Sequence, residues 1–109
     1  MCIRDSLQAA LEDCNHALIL RAGDPSTLDS RGLVYLRMKN PSAALADYNA
    51  ALALNSSKAS SLYGRGIARQ MQGDTAAEAD LAAAKAIQPG IADQFSKWGI
   101  APSRDRSKP

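Results

Sequence analysis

Aromatics, cysteine and histidine are all scarce in this chain: one Trp, three Tyr, one Phe, two Cys and one His among 109 residues. Each scarcity closes a class of chemistry. His16 is the sole histidine, and two residues from Cys14 on one helix it points to a different side, so no local Cys–His nucleophile pair is set up. No grouping of His, Cys and carboxylates has metal-ligand spacing, and the residues predict neither a catalytic site nor a bound cofactor. Two cysteines do not make a disulfide framework. Charge is also nearly balanced, at a net +2, too little to argue for nucleic acid or an anionic membrane surface as partner. No apolar run approaches the roughly 20 residues of a membrane span, and residues 1–6 lack the apolar core of a signal peptide.

What is present is alanine in abundance within a 46% hydrophobic composition. Alanine-rich, β-branch-poor sequence favours helix, and small side chains let helices approach closely. The length suits one domain with a continuous core. Sliding the sequence by 34 positions brings out its organisation. Ala9, Ala10, Leu11, Asp13, Asn15, Ala17, Leu18 and Leu20 fall on Ala43, Ala44, Leu45, Asp47, Asn49, Ala51, Leu52 and Leu54. Ser26, Leu28, Arg31 and Gly32 fall on Ser60, Leu62, Arg65 and Gly66, which makes 12 identities over the 27 positions 7–33. Self-similarity at this period is the mark of a helical repeat array.

Taken in order, residues 7–20 predict a first helix whose apolar stripe is Leu7, Ala10, Leu11, Cys14 and Leu18. Cys14 takes the slot that Tyr48 fills one repeat later, so it is expected as a small core hydrophobe rather than a reactive or paired thiol. Gly23 suits the left-handed residue that ends a helix, Asp24 the cap of the next, and Pro25 its first turn. A second helix follows to about Met38, packed through Leu28, Gly32, Tyr35 and Leu36. The recurrence of mid-helix glycine at Gly32 and Gly66, despite a cost of about 1 kcal/mol against alanine, predicts a close neighbour at both. Asn40 and Pro41 open a third helix to Leu54, with Ala44, Leu45, Tyr48, Ala51 and Leu52 inward. A fourth runs from about Lys58 to Gln72. Thr75 and Glu78 have capping-box spacing before a fifth, to about Ile87. A short sixth helix carries Ile91, Phe95 and Trp98 on one face. Residues 100–109 read as a disordered tail.

With these residues in place the chain resembles the tetratricopeptide repeat family. Numbered from Pro25, the family's slots hold Leu28, Gly32, Tyr35, Ala44, Tyr48 and Ala51, with Ser56 where a proline is common. The next repeat keeps Leu62 and Gly66 but has Arg69 in the aromatic slot, and its Ala79 and Ala86 sit one residue late. The resemblance implies an all-α solenoid of antiparallel helix pairs: about two and a half repeats plus a capping helix. Its parts are the second helix of a truncated repeat (7–24), a complete repeat (25–58), a degenerate repeat (59–88) and the capping helix (89–99). Residues 1–6 resemble a non-native leader seen in environmental sequencing, translated from adapter, so the natural protein is expected to extend further upstream.

In such arrays the first helix of each pair lines a concave groove that binds a peptide or partner helix. The resemblance places Ser26, Asp29, Ser30, Leu33, Leu36 and Arg37 there from one repeat. From the next it places Ser60, Tyr63, Ile67, Gln70 and Met71, with Gly64 beside them. Leu33 and Ile67 serve equally as packing positions. A family variant grips chaperone carboxyl termini with Lys, Arg and Asn, but the matching slots here are Ser26, Ser30, Ser60 and Gly64. The expectation is a non-catalytic protein-interaction module with an unidentified protein or peptide as partner. The alternative is a structural segment that self-associates through Leu7, Leu11, Cys14 and Leu18. Arg31 and Arg65 are read as partners of acids on neighbouring helices, such as Asp47 or Asp80, rather than as an anion site.

Overall fold

A computed structural model describes residues 7–21 and 23–97. They form six helices: α1 (Leu7–Leu20), α2 (Pro25–Arg37), α3 (Pro41–Leu54), α4 (Ala59–Met71), α5 (Ala77–Ile87) and α6 (Ile91–Lys97). No strand occurs among the described residues. The expected leader, the tail and Trp98 lie outside them.

The turns follow the local chemistry. Gly23 has φ +77°, which a residue without Cβ adopts freely. Asp24 then caps α2, accepting the Ser26 N–H at 3.3 Å and the Thr27 hydroxyl at 2.9 Å, with Pro25 in the first turn. Asn40 caps α3 by accepting the Ala43 N–H at 3.3 Å. Lys39 and Gly73, 34 residues apart, both take a left-handed backbone, at φ 62° and 77°. Lys58 opens α4 without any side-chain cap.

Each helix from α1 to α5 packs on its successor, α2 also touches α4, and α6 returns to α4 and α5. Among the described residues α2 approaches α4 directly, while α1, α3 and α5 show no close backbone approach to one another, so α2 and α4 form one layer with α1, α3 and α5 behind it, and α6 closes the α4–α5 end.

Close approach between the layers rests on glycine. A Cβ on Gly32 would stand 2.8 Å from the Tyr48 ring, and one on Gly64 would overlap that ring. A Cβ on Gly66 would stand 2.7 Å from Leu81. The close neighbours expected at Gly32 and Gly66 are therefore present. Cys14, Tyr48 and Leu81 occupy equivalent places, all buried. Cys14 is an inward side chain as expected, but it is disulfide-bonded. The expectation of an unpaired core thiol is corrected accordingly, and the other cysteine, Cys2, lies outside the described residues.

The fifth helix also needs correction. Ala77, Asp80, Leu81 and Ala84 face inward, whereas Ala79 and Ala86 are exposed. The repeat thus runs one residue early, not one late. Its cause lies in the opening turn. In α3 the first bond is α-type, Ala44 N–H to Asn40 O. At α5 the bonds are Ala77 N–H to Asp74 O and Glu78 N–H to Thr75 O, a tighter i→i+3 turn. Asp74 stands 34 residues after Asn40, so the missing residue falls inside that turn. Nor does the Thr75–Glu78 capping box cap α5; the Asp74 carboxylate accepts the Ala76 N–H at 2.9 Å instead.

Candidate functional site

A repeated buckle sets the orientation of the helices that frame the site. Arg31 on α2 donates to both oxygens of Asp47 on α3, each at 2.7 Å, and to Asn15 Oδ1 on α1 at 2.7 Å. Arg65 on α4 repeats this with Asp80 at 3.0 and 2.9 Å and with Asn49 at 3.1 Å. Arg69, in the slot where the resemblance wants an aromatic, gives Asp80 a third bond at 2.8 Å. Bidentate Arg–carboxylate pairs are directional as well as strong, so each arginine fixes the angle among three helices. The acid pairing expected for Arg31 and Arg65 is thus present. The asparagines carried their own signal, since both are among the repeat identities.

The eleven predicted groove residues divide into four groups. Ser26, Asp29, Ser30, Leu33 and Ser60 line a cleft of about 600 Å³ across α1, α2, α4 and the α6 end of the chain. Gln70 and Met71 line a second hollow, of about 470 Å³, at the α4–α5 turn. Arg37 is half-buried beside neither. Leu36, Tyr63 and Ile67 are buried, as is Gly64, and Leu33, at 3% exposure, reaches the cleft only as floor. At Leu36, Tyr63 and Ile67 the side chains serve packing rather than an open surface. Direct packing of α2 on α4 consumes the surface they would have offered, and α6 covers Tyr63, whose ring lies 4.8 Å from Phe95. The surface expected for self-association is likewise reduced: Cys14 is buried, Leu11 and Leu18 are half-covered, and Leu7 carries no described side chain.

Asp29 is held through both of its carboxylate oxygens. Ser60 Oγ donates to one of its oxygens at 2.9 Å and Ser61 Oγ to the other at 2.8 Å. Ser61 is itself fully buried. Burial raises the Asp29 pKa above the usual carboxylate value; the bonds from Ser61 and Ser60 and the charge of Lys58 oppose that shift without cancelling it. Behind the cleft, Tyr48 is wholly buried with its hydroxyl unpartnered, and burial pushes that phenol well above its ordinary range.

The remaining polar inventory is modest. No group of three His, Cys, Asp or Glu among the described residues has the geometry to hold a metal ion. His16 is exposed on α1, and Gly64-Arg65-Gly66 lies within α4 rather than in a phosphate loop. No described helix is long and apolar enough to cross a membrane. Compared with protein-family models, curated proteins and solved structures, the chain finds no match.

Proposed function

We propose that this chain is a helical-repeat binding module of the tetratricopeptide type, which holds an extended peptide in the cleft bounded by α2 and α4 and performs no catalysis. The observation that carries the reading is the cleft itself. It is about 600 Å³ in volume, and side chains on at least three helices converge on it. Its walls mix hydroxyl, amide and carboxylate groups over a Leu33 floor. An extended peptide presents backbone donors and acceptors together with small apolar side chains, which suits such a wall. The repeat assignment is supported by the two arginine buckles, which recur in the same sense one period apart.

Display of random peptides against the full chain tests the proposal. Peptides that bind the protein are expected to lose binding to Ser30→Arg, which fills the cleft. They are expected to keep it for Ser56→Arg, on the exposed turn after α3. Selected peptides indifferent to Ser30→Arg would place the interaction elsewhere and overturn the reading.

A further inference from the structure

Three interhelical carboxylates can be compared in this fold. Asp47 receives the fork of Arg31, and Asp80 receives Arg65 and Arg69. Among the described residues Asp29 receives two neutral hydroxyls and no guanidinium. Unlike the other two, it also lines the open cleft. Lys58, the one cation of the cleft wall among the described residues, acts on Asp29 through space. Two serine bonds leave lone pairs on both Asp29 oxygens free, and they hold the carboxylate rigid at no cost to an incoming ligand. We propose that the cleft is a cation subsite in which Asp29 receives the guanidinium or ammonium group of an arginine or lysine side chain on a bound peptide. The ligand would supply from outside what Arg31 and Arg65 supply to the other two carboxylates from within. This deepens the peptide-binding reading and rests on it for the peptide, though not for the cation.

The raised pKa of Asp29 agrees with the assignment, because a carboxylate short of positive charge in a partly dry site is one that a cation relieves. The competing account makes Asp29 a staple alone, joining α2 to the uncapped start of α4 through its two serines. The two accounts differ in what a small cation does.

The experiment is an amide NMR titration of the full chain with Nα-acetyl-argininamide, and in parallel with its citrulline counterpart, which keeps the shape and loses the charge. Saturable shifts are expected at Asp29, Ser30, Ser60 and Ser61 with the arginine probe, and binding about tenfold weaker or absent with citrulline, the loss expected of a charge-assisted bond. Asp29→Asn should reduce the arginine probe to the citrulline level. Lys58→Gln, which spares Asp29, should tighten arginine binding by about two- to threefold by removing a like charge. Equal affinity for the two probes, or no response to either variant, would overturn the subsite. Displayed peptides that occupy the cleft yet carry no Lys or Arg would overturn it too, while leaving the peptide reading intact. Saturation by argininamide with no displayed peptide binding in the cleft would do the reverse.

Discussion

Leu81 lies over Gly66 as Tyr48 lies over Gly32, so a glycine on α2 and one on α4 each seat one large side chain of the following helix. The pairing fixes how closely α4 and α5 approach. It also exposes the one-residue shortening of the last repeat, because a strict 34-residue step from Tyr48 would have seated Ala82, which is exposed instead.

Alanine at Gly66 would gain about 1 kcal/mol of helix propensity. Its Cβ would stand 2.7 Å from Leu81 Cδ2 and 3.2 Å from the Ala77 carbonyl oxygen. The leucine can rotate, but the backbone oxygen cannot without moving α5, and overpacking of this kind costs about 1–3 kcal/mol. Gly66→Ala is therefore expected to destabilise by about 1 kcal/mol net in urea denaturation. A more stable variant would mean that the helices are not held at this distance.

Breaking the buckle should cost more. Arg31→Ala leaves the Asp47 carboxylate, whose side chain is 6% exposed, without its fork. Loss of one partner from a fully buried pair costs about 3–5 kcal/mol; with Arg31 a quarter exposed, about 2 kcal/mol is expected. Arg31→Lys should recover less than half, because an ammonium cannot make the two parallel bonds. Full rescue by lysine would reduce the buckle to simple charge attraction.

Lys39 holds a left-handed backbone at φ 62° where the following repeat has Gly73. A residue with a Cβ is disfavoured there by about 1–2 kcal/mol, while glycine adds roughly 0.5–1 kcal/mol of chain entropy to lose. Lys39→Gly should therefore stabilise the protein by about 0.5 kcal/mol, seen as a higher denaturation midpoint at unchanged slope.

For Asp29 the sign follows from its raised pKa. Folding favours its protonated form, so its contribution to stability is held below the ordinary value of 3.8 and lost as pH rises through the raised folded value. Asp29→Asn does not titrate. The variant should gain on the parent between about pH 3 and neutrality, as read from paired denaturation curves. A gain that grew toward acid would contradict the burial of this carboxylate.

The parts of the fold legible in sequence were those coded by side-chain type at a fixed place: the Asp24 and Asn40 caps, the recurring glycines, and an acid partner for each repeated arginine. The tight first turn of α5 was not legible, because counting residues cannot distinguish an i→i+3 from an i→i+4 start. That turn moves Ala77 and Leu81 inward and Ala79 outward. Of the polar residues expected in the groove, Ser26, Asp29, Ser30 and Ser60 meet in one cleft, whereas Arg37 and Gln70 lie outside it. Tyr63 is taken up by helix packing, and so is Ile67, for which packing was the equal reading. Asn15 and Asn49 were visible as identities, but their role depends on where an arginine on another helix ends, which spacing alone does not give.

The Tyr48 hydroxyl offers the sharpest test of the core. It is fully buried with no hydrogen-bond partner, and an unmet buried polar group costs about 1–3 kcal/mol. Tyr48→Phe removes the oxygen and keeps the ring over Gly32, so it should stabilise the protein by about 1 kcal/mol at neutral pH. The advantage should widen in alkali. Burial, with Asp29 and Asp47 nearby, raises the folded pKa well above the ordinary 10.0. The unfolded chain therefore releases this proton first, and parent stability falls as pH rises past about 10. Phenylalanine has no such proton to lose. Two denaturation series, one neutral and one near pH 11, would show the difference between variant and parent growing between them. A difference that stayed constant would mean that the hydroxyl reaches water after all, and that the seam between α2, α3 and α4 is wetter than the packing over Gly32 and Gly64 implies.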